Sequence, residues 1–145
     1  MLKGLDPLLT PDLLWVLRAM GHGDEIVLCD TNFPSHSVAG DHSLIALPGL
    51  DACRIARAIL SVMPLDRYVD TPAMYMAAPE QQPIHTMMQD VVSALNEFPV
   101  ALAPVERFAF YERAKQAFAF IATGETRLYG NFIFKKGVVV PDSTC

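Results

Sequence analysis

The sequence predicts an α/β fold, and three observations predict it. Apolar runs of strand length, such as Ile26-Val27-Leu28-Cys29, alternate with longer segments whose apolar residues recur at helical spacing. Helix starts are written in capping chemistry at Thr10-Pro11-Asp12 and at Asp51. No internal repeat or low-complexity linker interrupts the 145 residues, so one domain spanning 1–145 is expected.

Thr10 can cap the first helix, Pro11 suits its first position, and Asp12 sits well at the positive end of the dipole. Leu13, Leu14, Leu17 and Met20 form its buried stripe, and Gly21 is expected to end it in the left-handed conformation that glycine tolerates. Gly23 repeats that freedom, which places His22 in a tight turn. Glu25 to Asp30 reads as a central strand, Thr31 to His42 as a loop, and Ser43 to Leu47 as a short strand. Asp51 starts a helix from Ala52 to Met63 that Pro64 closes. A polar loop follows with Asp66, Arg67, Tyr68 and Asp70, then a strand from Ala73 to Ala78. Pro83 opens a helix to about Phe98, with Met87, Met88, Val91, Val92 and Leu95 on one face. Val100 to Val105 is a short strand interrupted by Pro104, Phe108 to Gln116 a helix, and Ala117 to Ala122 a strand. A turn from Thr123 to Asn131 leads into a strand at Phe132–Lys135, and Val138 to Val140 is expected to form the last one.

Composition narrows the function classes. Hydrophobic residues make up 52% and charged residues 19%, an apolar excess for a small chain, which points to faces covered by other copies of it; a monomer with a rich core is the alternative. The net charge of −5 and the absence of any Lys/Arg run argue against nucleic acid and anionic membrane as partners. The apolar runs fall short of a membrane span, and no signal-peptide core precedes Asp6. Three widely spaced cysteines, Cys29, Cys53 and Cys145, argue against a disulfide framework and for a cytoplasmic protein.

Chemistry concentrates in two stretches. In Met20-Gly21-His22-Gly23-Asp24-Glu25 an imidazole suited to acid/base work stands between glycines that leave it unshielded. A turn histidine bonded to backbone is the alternative; Asp24 and Asp30 weigh against it, since either carboxylate could orient the ring. Asp30, at the end of an apolar strand, lies where α/β proteins bind ligands. Downstream, Glu106, Arg107, Tyr111, Glu112 and Arg113 form a polar and aromatic group, with Phe108, Phe110 and Phe118 read as core and Arg113 and Lys115 as a solvated face. Tyr129-Gly130-Asn131 offers a phenol and a carboxamide to a polyol. His36 and His42 lack metal-ligand spacing, and His85 reads as surface. No phosphate loop, nucleophile elbow or Cys-His pairing supports nucleotide cofactors or acyl-enzyme chemistry.

Met20 to Glu25, Asp30, Asn32-Phe33-Pro34, Arg107-Phe108-Ala109-Phe110-Tyr111-Glu112-Arg113-Ala114, Thr123-Gly124-Glu125, Tyr129-Gly130-Asn131 and Lys136-Gly137-Val138 together resemble the L-fucose mutarotase branch of the ribose pyranase/fucose mutarotase family. The match runs in order from Leu2 to about Val140, while residues 80–104 carry little of it. The resemblance implies a mixed β-sheet flanked by helices on both faces (RbsD-like). It implies an isomerase of the racemase/epimerase class, without cofactor or metal, that interconverts the α and β anomers of a free aldose, L-fucose by branch. It also implies a ring-shaped homodecamer with active sites near subunit contacts. By motif position His22 is implied as the catalytic acid/base; the chemistry of ring opening then assigns the other proton transfer to Tyr129 or Tyr111, directly or through water. Asp30, Arg107, Tyr129 and Asn131 would hold the sugar, Asp66 and Tyr111 match further substrate positions, and Asp24 would support His22. Other readings are ribose pyranase activity, a sugar-binding or transport-associated module, and a metal-dependent lyase or isomerase using His22, His36 and His42.

Overall fold

Strand β1 (Glu25–Cys29) has no polar side chain from Ile26 to Cys29, and all four residues are buried, because strands pair with both of its edges and helices cover both faces. In the computed structural model residues 1–142 are described; Cys145 lies outside them. The remaining strands are β2 (Ser43–Leu47), β3 (Ala73–Met76), β4 (Ala103–Val105), β5 (Ala119–Thr123) and β6 (Phe132–Lys135). They form one six-stranded sheet in the order β2-β5-β1-β6-β3-β4. β6 runs antiparallel to β1 and β3, while the other pairs are parallel, so the sheet is mixed.

The helices are α1 (Pro11–Ala19), α2 (Ser35–Ala39), α3 (Ala52–Leu60), α4 (Pro83–Leu95) and α5 (Arg107–Ala114). Side chains alternate along β1. Ile26 and Leu28 enter the core that α1, α3 and α4 cover; Val27 and Cys29 enter the core under α2 and α5. Phe120, Phe132, Phe134 and Phe110 are fully buried in these layers, each contributing roughly 1.5–3 kcal/mol by removal from water. The caps at Thr10 and Asp51 form as expected, accepting from the Leu13 and Arg54 N–H groups at 3.2 and 2.9 Å.

Several expectations are corrected. Residues 31–42 hold α2, a helix too short for periodicity to announce. The long helices end earlier, at Leu60 and Leu95, and Met87 and Leu95 are exposed rather than on the buried face. No strand forms at Val138–Val140: β6 ends after a single Leu65–Lys136 bridge, and Val139 and Val140 face solvent. Gly21 is not left-handed. The α1 terminus is finished instead by the Lys136 ammonium, which donates to the Leu17 and Met20 carbonyls at 2.7 and 2.5 Å, and only Gly23 in that turn has positive φ, at 88°.

Candidate functional site

The polar residues gather in two clusters, at opposite ends of β1. At its carboxyl end, Asp30 follows the last buried strand residue. Because β6 is antiparallel to β1, Gly130 and Asn131 come alongside, and a reciprocal lock forms. The Asp30 N–H donates to Asn131 Oδ1 at 2.8 Å, and Asn131 Nδ2 donates to Asp30 Oδ2 at 3.0 Å. Asp30 also accepts from the N–H groups of Asn32 and Phe33 (both 2.9 Å) and of Gly130 (3.2 Å). Burial pushes the Asp30 carboxyl above the usual carboxylate range, and these donors offset only part of the rise.

A cavity of about 310 Å³ opens here, lined by Asp30, Asn32, Phe33, Met76, Arg107, Tyr111, Leu128, Tyr129 and Asn131, a size suited to one small ligand. Arg107 opens α5 and Tyr111 stands one turn on, with Arg107 Nε donating to the Tyr111 hydroxyl at 3.3 Å. The guanidinium lies 5.6 and 5.7 Å from the Phe108 and Tyr111 ring centres. Phe108 is therefore exposed beneath Arg107, not core as its sequence context predicts. Tyr129 has φ 59°, the one positive value among described non-glycine residues. The loop before it hangs on Glu125, buried, which accepts the Arg127 guanidinium fork and the Ala52 N–H.

At the amino end of β1, His22 Nε2 lies 3.1 Å from Asp66 Oδ1. The Asp66 side chain is buried, whereas that of His22 is 47% exposed, so the imidazole is open to a ligand or to another molecule. Burial raises the Asp66 carboxyl, but the Tyr68 N–H and His22 outweigh it and hold the group below the usual range. The Tyr68 ring stands edge-on to the imidazole at 5.9 Å. Asp24 does not face His22; it accepts the Gly21 N–H at 2.7 Å and so shapes the turn.

The structure thus brings together Asp30, Arg107, Tyr111, Tyr129 and Asn131, and separately His22 and Asp66. It does not bring the two sets together: the five residues of β1, at about 3.3 Å each, hold them roughly 16 Å apart within one chain. Neither Asp24 nor Asp30 is the partner of His22, and Asp66 lies beside the imidazole, outside the sugar-sized cavity. His36 and His42 are exposed around α2. Arg113 is not a merely solvated charge, since it forks onto Glu25 at 2.6 and 3.1 Å. His85 is buried, not surface, with Nε2 3.0 Å from the Tyr129 carbonyl. Its place on the α4 face shared with Met88 and Val92 was the available signal. Sequence reasoning gave no role to the apolar wall of Phe33, Met76 and Leu128, which comes from three separate segments.

Residues 3–139 match the model of the RbsD / FucU transport protein family. The chain is 48% identical over 153 residues to the fucose mutarotase of Bos taurus, covering 99% of this chain and 98% of that protein. It is 43% identical over 143 residues to the L-fucose mutarotase of Histophilus somni (strain 2336), covering 95% and 97%. Among solved structures, the fucose mutarotase of Streptococcus pneumoniae in complex with L-fucose superposes with a TM-score of 0.89 at 42% identity, over 96% of this chain and all of that one. RbsD of Bacillus subtilis complexed with D-ribose shares the fold, with a TM-score of 0.76 at 21% identity. With the family model spanning nearly the whole described chain and close relatives matched end to end, the chain belongs to the RbsD / FucU transport protein family.

Proposed function

We propose that this protein is a mutarotase, an isomerase that interconverts the α and β anomers of a free aldose, with L-fucose as the sugar. The observation that carries the reading is the carboxyl-end cavity, which gathers the Arg107 guanidinium and the Tyr111 and Tyr129 phenols with an apolar wall of Phe33, Met76 and Leu128. Relatives 42–48% identical are fucose mutarotases, and one was solved with L-fucose bound. The apolar wall suits a 6-deoxy sugar, whose C6 methyl needs no hydrogen-bond partner; ribose lacks that group.

Mutarotation needs a proton delivered to the ring oxygen as the C1–O5 bond breaks, and one removed from the anomeric hydroxyl as the aldehyde forms. Rotation about C1–C2 and reversal of both transfers recloses the ring on the other face. A positioned acid/base typically accelerates such steps ~10²–10⁴-fold. His22 serves the first transfer, oriented by Asp66, and Tyr129 the second, directly or through water. Because His22 and the cavity sit at opposite ends of β1, the histidine that serves a given cavity comes from a second copy of the chain, in a ring-shaped homo-oligomer, a decamer. The apolar surface at Leu2, Trp15, Val62 and Val139 supports association, and the free Cys29 and Cys53 fit a cytoplasmic setting.

Exchange NMR on L-fucose tests this. Wild type should accelerate anomer exchange, and His22→Ala and Arg107→Met should each abolish most of it. In randomly mixed assemblies of the two variants, about one contact in four joins an intact histidine to an intact cavity, so about a quarter of the activity should return. Binding without faster exchange would favour a sugar-binding module, and no recovery on mixing would sink the shared site.

A further inference from the structure

We infer that His85 is a positioning residue of the sugar cavity: with Asp30 it grips both poles of the Tyr129–Gly130 peptide and so fixes where the Tyr129 phenol points. The inference rests on the sugar site proposed above, in which Tyr129 faces the substrate.

His85 stands in the first turn of α4, with its backbone N–H on the Gln82 carbonyl at 3.0 Å. Its ring is buried against Tyr75, centre to centre 4.2 Å, with the Phe132 ring edge-on at 6.2 Å. Nε2 lies 3.0 Å from the Tyr129 carbonyl oxygen. A carbonyl can only accept, so Nε2 carries the proton and donates. Burial holds the His85 ring below the usual histidine range, and its bond to Tyr129 offsets only part of that, so near neutral pH it is the uncharged Nε2–H form.

One residue further, the Gly130 N–H donates to Asp30 Oδ2 at 3.2 Å. The carbonyl and the N–H of a single peptide unit are thus held by two buried side chains, one from the α4 side and one from the end of β1. The unit needs holding. Tyr129 occupies the left-handed region at φ 59°, which residues with a Cβ seldom adopt. The following glycine imposes little φ preference of its own. Gly130 also cannot gain a Cβ, since that atom would lie 2.6 Å from Glu125 Cγ and 3.1 Å from the Arg127 carbonyl oxygen. Without the histidine, only the Asp30 bond to the Gly130 N–H holds the peptide plane, the strained Tyr129 backbone can relax, and the phenol shifts with it. If His85 were simply core filling, any ring of similar size would replace it.

His85→Phe keeps the ring and the stack on Tyr75 but removes the donor. His85→Gln removes the ring but returns an N–H₂ group near the Nε2 position. We expect His85→Phe to slow L-fucose anomer exchange at saturating sugar by roughly tenfold and to move the Tyr129 and Gly130 backbone resonances. His85→Gln should restore both to near wild type. A His85→Phe protein with wild-type exchange and unmoved Tyr129–Gly130 resonances overturns the inference, as does a His85→Gln protein as impaired as His85→Phe. The imidazole ¹⁵N shifts of the wild type decide it without any variant: an Nδ1–H ring would exclude the bond. Were wild type to show no anomer exchange, the mutarotase reading would fail, while the resonances and the ring tautomer would still decide the role of His85.

Discussion

Asp30→Asn removes one oxygen from the lock at the end of β1 and leaves the shape nearly unchanged. The remaining carbonyl keeps the Asn32 and Phe33 N–H groups. The new amide then faces two donors, the Gly130 N–H and Asn131 Nδ2, that Oδ2 had accepted. Asn131 cannot turn its amide to help, because its Oδ1 is engaged by the backbone N–H of residue 30. Two buried donors without acceptors cost ~1–3 kcal/mol each, and relief from burying a carboxylate offsets part of that, so a net loss of about 2–3 kcal/mol is expected. Adding Asn131→Asp supplies an acceptor facing the new amide and leaves only the Gly130 N–H unmatched. The double variant should recover about 1–2 kcal/mol as coupling between the sites. Urea unfolding at one fixed protein concentration, with the slope unchanged, measures both quantities. A single variant within 0.5 kcal/mol of wild type, or a double variant no more stable than the single, would refute the reciprocal lock.

Three further outcomes follow from other contacts. Burial raises the Glu25 carboxyl, but Arg113 and Lys135 outweigh it and hold it below the usual range. Its unfolded form therefore binds a proton first as pH falls, so its stabilisation is present above about pH 4.5 and is lost as pH drops through the folded value. Arg113→Met should cost about 1 kcal/mol at pH 7, given the half-exposed arginine, and flatten the acid limb of a stability–pH curve. Gly137→Ala places a Cβ 2.4 Å from the Leu65 carbonyl oxygen and 2.9 Å from Asp66 Cα. It should cost about 2–3 kcal/mol in thermal unfolding and slow anomer exchange by displacing the partner of His22. Lys136→Met strips the α1 terminus of its ammonium cap, at a cost of about 1–2 kcal/mol, and should speed amide hydrogen exchange at Met20, Gly23 and Asp24.

Local chemistry made much of this legible in advance. Thr10 and Asp51 announced their helices, and the apolar run before Asp30 announced a central strand, whose end lines the cavity. Asp30, Arg107, Tyr129 and Asn131 are named together only through the family resemblance, and they line one cavity. What local pattern could not give was which residues meet across the sheet. The Asp30–Asn131 lock depends on β6 running antiparallel to β1 in one register. The choice of Asp66 over Asp24 depends on a bridge between Leu65 and Lys136, far from His22 in sequence. His85 looked like a helix-start surface residue because nothing near it in sequence records that Tyr75, Tyr129 and Phe132 close around it. α2 escaped because five residues are too few for a period to show.

β1 also acts as a spacer of fixed length. Its buried residues, paired on both edges, allow no slack between the imidazole at one end and the cavity at the other. In the proposed assembly an isolated chain therefore owns two half-sites and no whole one, and no bending of the monomer can unite them. Turnover per chain would then track the fraction of chains in contact: constant at high protein concentration, falling on dilution below the dissociation constant of the contact, and restored on reconcentration.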